Sequence, residues 1–187
     1  MLDRRRTDTR HHIQAVALEL FAERGYDRTS LREIAERLGV TKAALYYHYR
    51  SKHEILTSVI EEFLGDLDAL VQWAQQHPRD AALRVEVLRR YSELLAGPTA
   101  VLARFIHEDR SALHQQERGL RIRERFLALA DLLTPTEDQL TGRLRARMAL
   151  MTLHVGILPD SHPDFVTDEK QRRATALKLA TEVLSIS

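Results

Sequence analysis

Between Gly39 and Lys52 the sequence reads GVTKAALYYHYRSK, with Tyr46, Tyr47, His48 and Tyr49 in consecutive positions. Flat rings with hydrogen-bonding tips, flanked by cations and free of carboxylates, suit a polyanion better than a protein core. On a helix starting at Lys42, a 100° step per residue puts Leu45 and Tyr49 together on the core side. Ala43, Ala44 and Tyr47 then point away from it, with Lys42 and Tyr46 on one flank and His48 on the other. Two alanines let a helix backbone approach a groove, and their methyls can meet a thymine methyl. Tyr46, Tyr47 and His48 present polar tips towards flanking phosphates, contacts that fix register rather than sequence. Thr41, Lys42 and Arg32 can reach base edges, where a bidentate Arg–guanine contact is worth ~1–3 kcal/mol. Lys52 falls in the first turn of the next helix, where its charge opposes the helix dipole unless an anion lies beside it. The chemistry of this face predicts a double-stranded DNA partner.

Other chemistries find less support. The chain has no Cys, which excludes disulfides, a thiolate nucleophile and Cys-ligated zinc. No Gly-rich phosphate loop and no G-x-S-x-G elbow occurs, so neither an enzyme nor a cofactor is expected. His107, Glu108, Asp109 and His114 offer nitrogen and oxygen ligands. His107 and His114, however, stand ~10 Å apart along a helix at 1.5 Å per residue and cannot share one ion. The alternative reading is a metal- or ligand-binding sensor, or an enzyme, that uses the helical core beneath a vestigial DNA head.

These residues need elements to position them, and the punctuation is helical throughout. No run alternates with a strand period. Ile13, Ala17, Leu20 and Phe21 form a stripe ended by Gly25 in a left-handed cap position. Ser30 and Glu33 form a capping box ahead of Ile34, Ala35 and Leu38, Gly39 stops that helix, and Thr41 can cap the next. A short helix, a tight turn and a second short helix make a helix-turn-helix. Ser51 and Glu54 repeat the capping box and open a long helix that ends near His77-Pro78. Further helices are expected over 80–96, 99–113, 117–133, 136–158 and 168–184, with Thr134-Pro135-Thr136-Glu137 capping the fourth of these. The fold class is all-α, with about nine helices. A length of 187 residues with 44% hydrophobic and 29% charged residues fits one sizeable domain or two small ones. Of the 28 Lys and Arg, eleven lie in residues 1–52, giving a basic end on a mildly acidic body although the net charge is only +1. Arg4, Arg5 and Arg6 read as a solvated, disordered tail in preference to a groove-following arm. No apolar run approaches a membrane span, so a cytoplasmic location without membrane contact is expected.

Residues 15–56, AVALELFAERGYDRTSLREIAERLGVTKAALYYHYRSKHEIL, resemble the DNA-binding domain of the TetR family of transcriptional regulators. The resemblance rests on the LF…GY end of the first helix, SLREIAERLGV, and ALYYHYRSKHEIL. It implies a helix-turn-helix domain over 1–52 and an effector-binding and dimerisation domain over 53–187. It further implies a repressor that reads a palindromic operator as a homodimer and is released by a small-molecule effector. By position, Arg32, Thr41, Lys42, Ala43 and Ala44 fall where the family reads bases. Tyr46, Tyr47, His48 and Lys52 fall where it grips phosphates. Tyr49 departs from the usual Phe, and its hydroxyl needs a partner if buried. In the family the last two helices pair across a two-fold axis. Small residues at helical spacing, Gly142, Ala146, Ala149, Leu153 and Gly156, are candidates for that seam, as are Ala174, Leu177, Ala180, Thr181 and Leu184; the same rows could pack inside one subunit. Aromatic or polar residues on apolar stretches mark candidate pocket walls: Trp73, Tyr91, Phe105, His107, Phe126, Met148, Met151 and His154.

Overall fold

A computed structural model describes residues 2–96, 102, 117–135, 139–158 and 168–185. Among them the secondary structure is entirely helical. The helices are α1 (Leu2–Arg24), α2 (Leu31–Leu38), α3 (Lys42–His48), α4 (Lys52–Gln75), α5 (Ala81–Leu94), α6 (Glu117–Leu133), α7 (Gln139–Ile157) and α8 (Glu169–Ser185). The helix expected over 99–113 lies outside the described residues. Contacts divide the chain into two compact units, the first running through Glu62 and the second beginning at Phe63.

The first unit is a three-helix head closed by the start of α4. Ile13, Leu18, Leu20 and Phe21 of α1 are buried with Ile34 of α2, Leu45 of α3 and Ile55 and Val59 of α4. The caps fall where residue types predict them. The Ser30 hydroxyl accepts from the Glu33 amide at 3.3 Å, while the Glu33 carboxylate accepts from the Ser30 amide at 2.8 Å. The Ser30 hydroxyl also donates to that carboxylate at 2.8 Å, and this bond, with the one from the Ser30 amide, lowers the Glu33 pKa. Gly39 has φ +67 at the end of α2, a left-handed conformation that a side chain disfavours, and Val40 donates back to the Ala35 carbonyl at 3.0 Å. Thr41 then caps α3 by accepting from the Ala44 amide at 3.2 Å. Buried Thr29 sets its hydroxyl between the carbonyls of Leu20 and Gly25, pinning the α1–α2 connection.

One expectation is corrected here. The backbone of residues 2–7 continues α1 and does not form a disordered tail. Between Leu2 and Arg24 there is neither Gly nor Pro, and Arg is a good helix former, so nothing in the sequence stops the helix.

In the second unit, the later part of α4 is joined by α5 to α8. Arg125 of α6 forms a two-pronged bond to Asp68 of α4 at 2.7 and 3.3 Å. Arg173 of α8 donates to the Ser92 carbonyl in the last turn of α5 at 2.9 Å, a favourable place for a cation. Helices α7 and α8 pack closely. A side chain at Gly156 would overlap Ala176 Cβ and lie 3.3 Å from the Arg172 carbonyl. Thr134 donates its hydroxyl to the Ala130 carbonyl at 2.7 Å, closing α6, while Thr136 and Glu137 of the expected capping box lie outside the described residues.

Candidate nucleic-acid interface

Helix α3 is seven residues long and buries Leu45 alone. Thr41, Lys42, Ala43 and Ala44 are exposed in a row at its N-terminal end. Tyr46 is 44% and Tyr47 72% exposed, unusual for rings that had any core to enter. The Lys42 ammonium lies 5.4 Å from the Tyr46 ring centre, and the Tyr47 and His48 rings meet edge to face at 5.3 Å. The outer surface of α3 thus joins cations to polar ring tips, and its own sequence contains no carboxylate.

Three of the expected contact residues have other partners. Arg32 is exposed and bonds Glu36 through Nε at 2.8 Å, which leaves its two terminal nitrogens facing outward. His48 is half-buried along a shallow cleft shared with Thr9, His12, Ile13 and Val40. Lys52 donates to the carbonyls of Tyr26 and Asp27 at 2.6 and 3.2 Å and sits 4.3 Å from the Tyr26 ring centre. Those carbonyls supply the negative partner that its place at a helix start demanded. Two of its three donors are engaged, so one remains for a phosphate.

Within the second unit the candidate pocket residues separate. Tyr91 is buried, and its hydroxyl meets His154 Nε2 at 2.7 Å. Phe126 sets its ring edge to face with His154 at 6.1 Å. Burial lowers the His154 pKa to about 4 and raises that of Tyr91. Both groups are therefore neutral at pH 7, and the imidazole tautomer sets which of them donates in their hydrogen bond. Trp73 lies apart from this trio, under the Arg90 guanidinium at 3.7 Å and beside the His77 ring at 4.5 Å. Met148 and Met151 are 58% and 51% exposed on the outer face of α7, not beside Tyr91 and His154. Phe105 and His107 lie outside the described residues, as do Glu108, Asp109 and His114. Among the described residues, no three His, Cys, Asp or Glu side chains gather where they could hold a metal ion.

Residues 13–59 match the family described as bacterial regulatory proteins, tetR family. The chain is 30% identical over 140 residues to the HTH-type transcriptional repressor KstR2 of Rhodococcus jostii (strain RHA1), covering 73% of this chain and 64% of that protein. It is 37% identical over 76 residues to the HTH-type transcriptional regulator AcrR of Shigella flexneri, covering 39% of this chain and 34% of AcrR. Thus the chain spans about a third to two thirds of the length of these relatives. The solved structure of the ketosteroid transcriptional regulator KstR2 of Mycobacterium tuberculosis superposes with a TM-score of 0.68 at 20% identity, over 93% of each chain. The chain belongs to the TetR family.

Of the two rows offered for a seam on the last two helices, the one on α7 takes the alternative place, packed inside one chain. Gly142, Ala146, Ala149, Leu153 and Gly156 are all buried within the single chain, as is Ala180. A Cβ at Gly142 would lie 2.9 Å from Pro135 Cδ of the same chain, so this row faces inward. Ala174 is exposed, and Leu177, Thr181 and Leu184 are half-buried. Sequence reasoning missed the opposite stripe of α7, where Leu140, Leu144, Met148, Met151 and Val155 are 74, 52, 58, 51 and 66% exposed. Their spacing of four, four, three and four residues was a readable signal of one helical face. It also missed Gln14, which is 2% exposed and bonds Ser58 Oγ at 3.0 Å and Glu62 at 2.8 Å.

Proposed function

We propose that this chain is a transcriptional repressor that reads a palindromic operator as a homodimer and releases it when a small-molecule effector binds. The observation that carries the reading is the exposed outer face of α3, with Lys42 and the tips of Tyr46 and Tyr47 beside Ala43 and Ala44. Residues 1–52 act as the reading head and 53–187 as the effector and dimerisation domain. Thr41, Lys42, Ala43, Ala44 and the free end of Arg32 meet base edges, while Tyr46, Tyr47, His48 and the remaining Lys52 donor hold phosphates. The chain works by binding, without catalysis.

The exposed α7 stripe supports the dimer. Five large apolar side chains on one helical face form a patch that water disfavours, and a second copy offers the same patch for an isologous seam. Such a dimer suits half-sites ~34–36 Å apart, or a multiple of that spacing. The neutral Tyr91–His154 pair beside Phe126 is the place proposed for the effector's polar end. Helix α4 begins at Lys52 in the head and runs on to Gln75, so its displacement is the proposed route from effector to DNA. An effector shifts the dimer only by its differential affinity for the two states.

Selection from random double-stranded DNA at stated salt, followed by sequencing, tests the reading. Enrichment of a palindrome is expected. Recovery of no sequence preference from folded protein would overturn it.

A further inference from the structure

A two-turn helix with one buried side chain is poorly fixed against rotation about its own axis and against tilt. Helix α3 has that weakness, since Leu45 is its buried residue. A second anchor is the capping residue Tyr49, which is fully buried and donates its amide to the Leu45 carbonyl at 3.0 Å. The Tyr49 ring lies 4.9 Å from the Arg10 guanidinium of α1. Its hydroxyl sits 3.1 Å from Ser58 Oγ on α4. Ser58 also lies 2.8 Å from its own Ile55 carbonyl and receives Gln14 Nε2 of α1 at 3.0 Å. The second amide hydrogen of Gln14 goes to Glu62 at 2.8 Å.

The hydrogen count gives this cluster one arrangement. Ser58 has a single proton, and the carbonyl can only accept, so that proton goes to Ile55. Both lone pairs of Ser58 then accept, one from Gln14 and one from the Tyr49 hydroxyl. One serine therefore ties the end of α3 to α1 and α4, with its own proton and both lone pairs used. Bonds shared through one part-buried serine favour one geometry of the helices they join, and removing a member leaves its neighbours short of a partner.

We infer that Gln14, Ser58 and the Tyr49 hydroxyl are positioning residues that set the attitude of the recognition helix, and so govern discrimination between sequences more than affinity for DNA as such. The inference rests on the DNA-reading proposal above. Tyr49 stands seven residues from Lys42, ~10 Å along the helix axis at 1.5 Å per residue. A tilt of about 10° about the Tyr49 end moves the base-reading end by roughly 2 Å over that length. Bidentate contacts to base edges fail with such a displacement, while phosphate contacts by mobile side chains adapt.

The test uses the full chain with Tyr49→Phe, Ser58→Ala and Ser58→Thr, the last retaining a hydroxyl. Affinities for the selected operator and for a random duplex are measured at the same salt. Tyr49→Phe and Ser58→Ala are each expected to weaken operator binding about tenfold, within the range of one lost base contact, and to leave random-duplex binding unchanged. Ser58→Thr restores most of the ratio, and the double variant Tyr49→Phe with Ser58→Ala is no worse than either single one. Retention of the wild-type ratio in both single variants overturns the inference. So does an equal fall on both duplexes, which marks a merely structural role. Should the wild-type chain select no operator, the DNA-reading proposal fails, and amide exchange judges the network instead. Exchange at Tyr49 and its neighbours in α3 is then expected to quicken about tenfold in Tyr49→Phe with α1 unchanged, and unchanged exchange in α3 overturns the inference.

Discussion

Acid should loosen the second unit through one side chain, His154. In the folded chain its pKa is lowered from 6.5 to about 4 by burial. Because the folded pKa lies below the unfolded one, the unfolded chain binds more protons between the two values, and stability falls as pH falls. The contribution is fully present above pH 6.5 and is lost progressively towards pH 4. One proton gives a limiting slope of about 1.4 kcal/mol per pH unit. From pH 7 to pH 5 the loss is about 2 kcal/mol, and over the whole window about 3 kcal/mol. Urea unfolding of the wild type and of His154→Gln, at one protein concentration and several pH values, isolates this group, since all others cancel in the difference. The glutamine variant should lack that share of the acid limb. A His154 midpoint at or above 6.5 by NMR titration, or identical acid limbs in the two proteins, would refute the reasoning.

Substituting Leu144→Glu with Met148→Glu should convert the dimer to monomers in sedimentation velocity. Two half-exposed apolar chains are withdrawn from each copy of the seam, worth roughly 3 kcal/mol or more per dimer at ~1.5–3 kcal/mol per fully buried side chain, and helix content should stay unchanged. Gly156→Ala should lower stability by ~1–3 kcal/mol in chemical denaturation, because the added methyl overlaps Ala176 Cβ. The pair Gly156→Ala with Ala176→Gly should recover most of that loss. Lys42→Ala should weaken operator binding by ~1–3 kcal/mol in fluorescence anisotropy and blur preference at one base position, whereas Tyr47→Phe should weaken operator and random duplex alike.

The head was legible because its signals are local. Ser30 and Glu33, Gly39, and Thr41 each use a side chain or a conformation that satisfies backbone groups within a few residues, so residue type alone places them. The partners of Tyr49 and Lys52 were not legible. Ser58 reaches Tyr49 from another helix, and the carbonyls of Tyr26 and Asp27 carry no side-chain signature. The length of α1 was hidden for a different reason, since its start carries no cap residue that marks a boundary. In the second unit the sequence supplied three partners of one cluster, Tyr91, Phe126 and His154, by polarity on apolar stretches. It assigned Met148 and Met151 to the same cluster because periodicity reveals a face but not which face turns inward.

That ambiguity left two places open for the small-residue row of α7, and the physics that decides between them is specific. Small residues do mark the closest approach of two helix backbones, but the approach they mark on α7 is to α8 of the same chain, where Gly156 meets Ala176. Packing backbones that closely leaves no room for a third helix on the same face. The other side of α7 carries Leu140, Leu144, Met148, Met151 and Val155. Residue size thus separates the two sides of α7: Gly142, Ala146, Ala149 and Gly156 lie where it packs within its own chain, and larger apolar side chains lie on the exposed side that the dimer proposal assigns to a second copy.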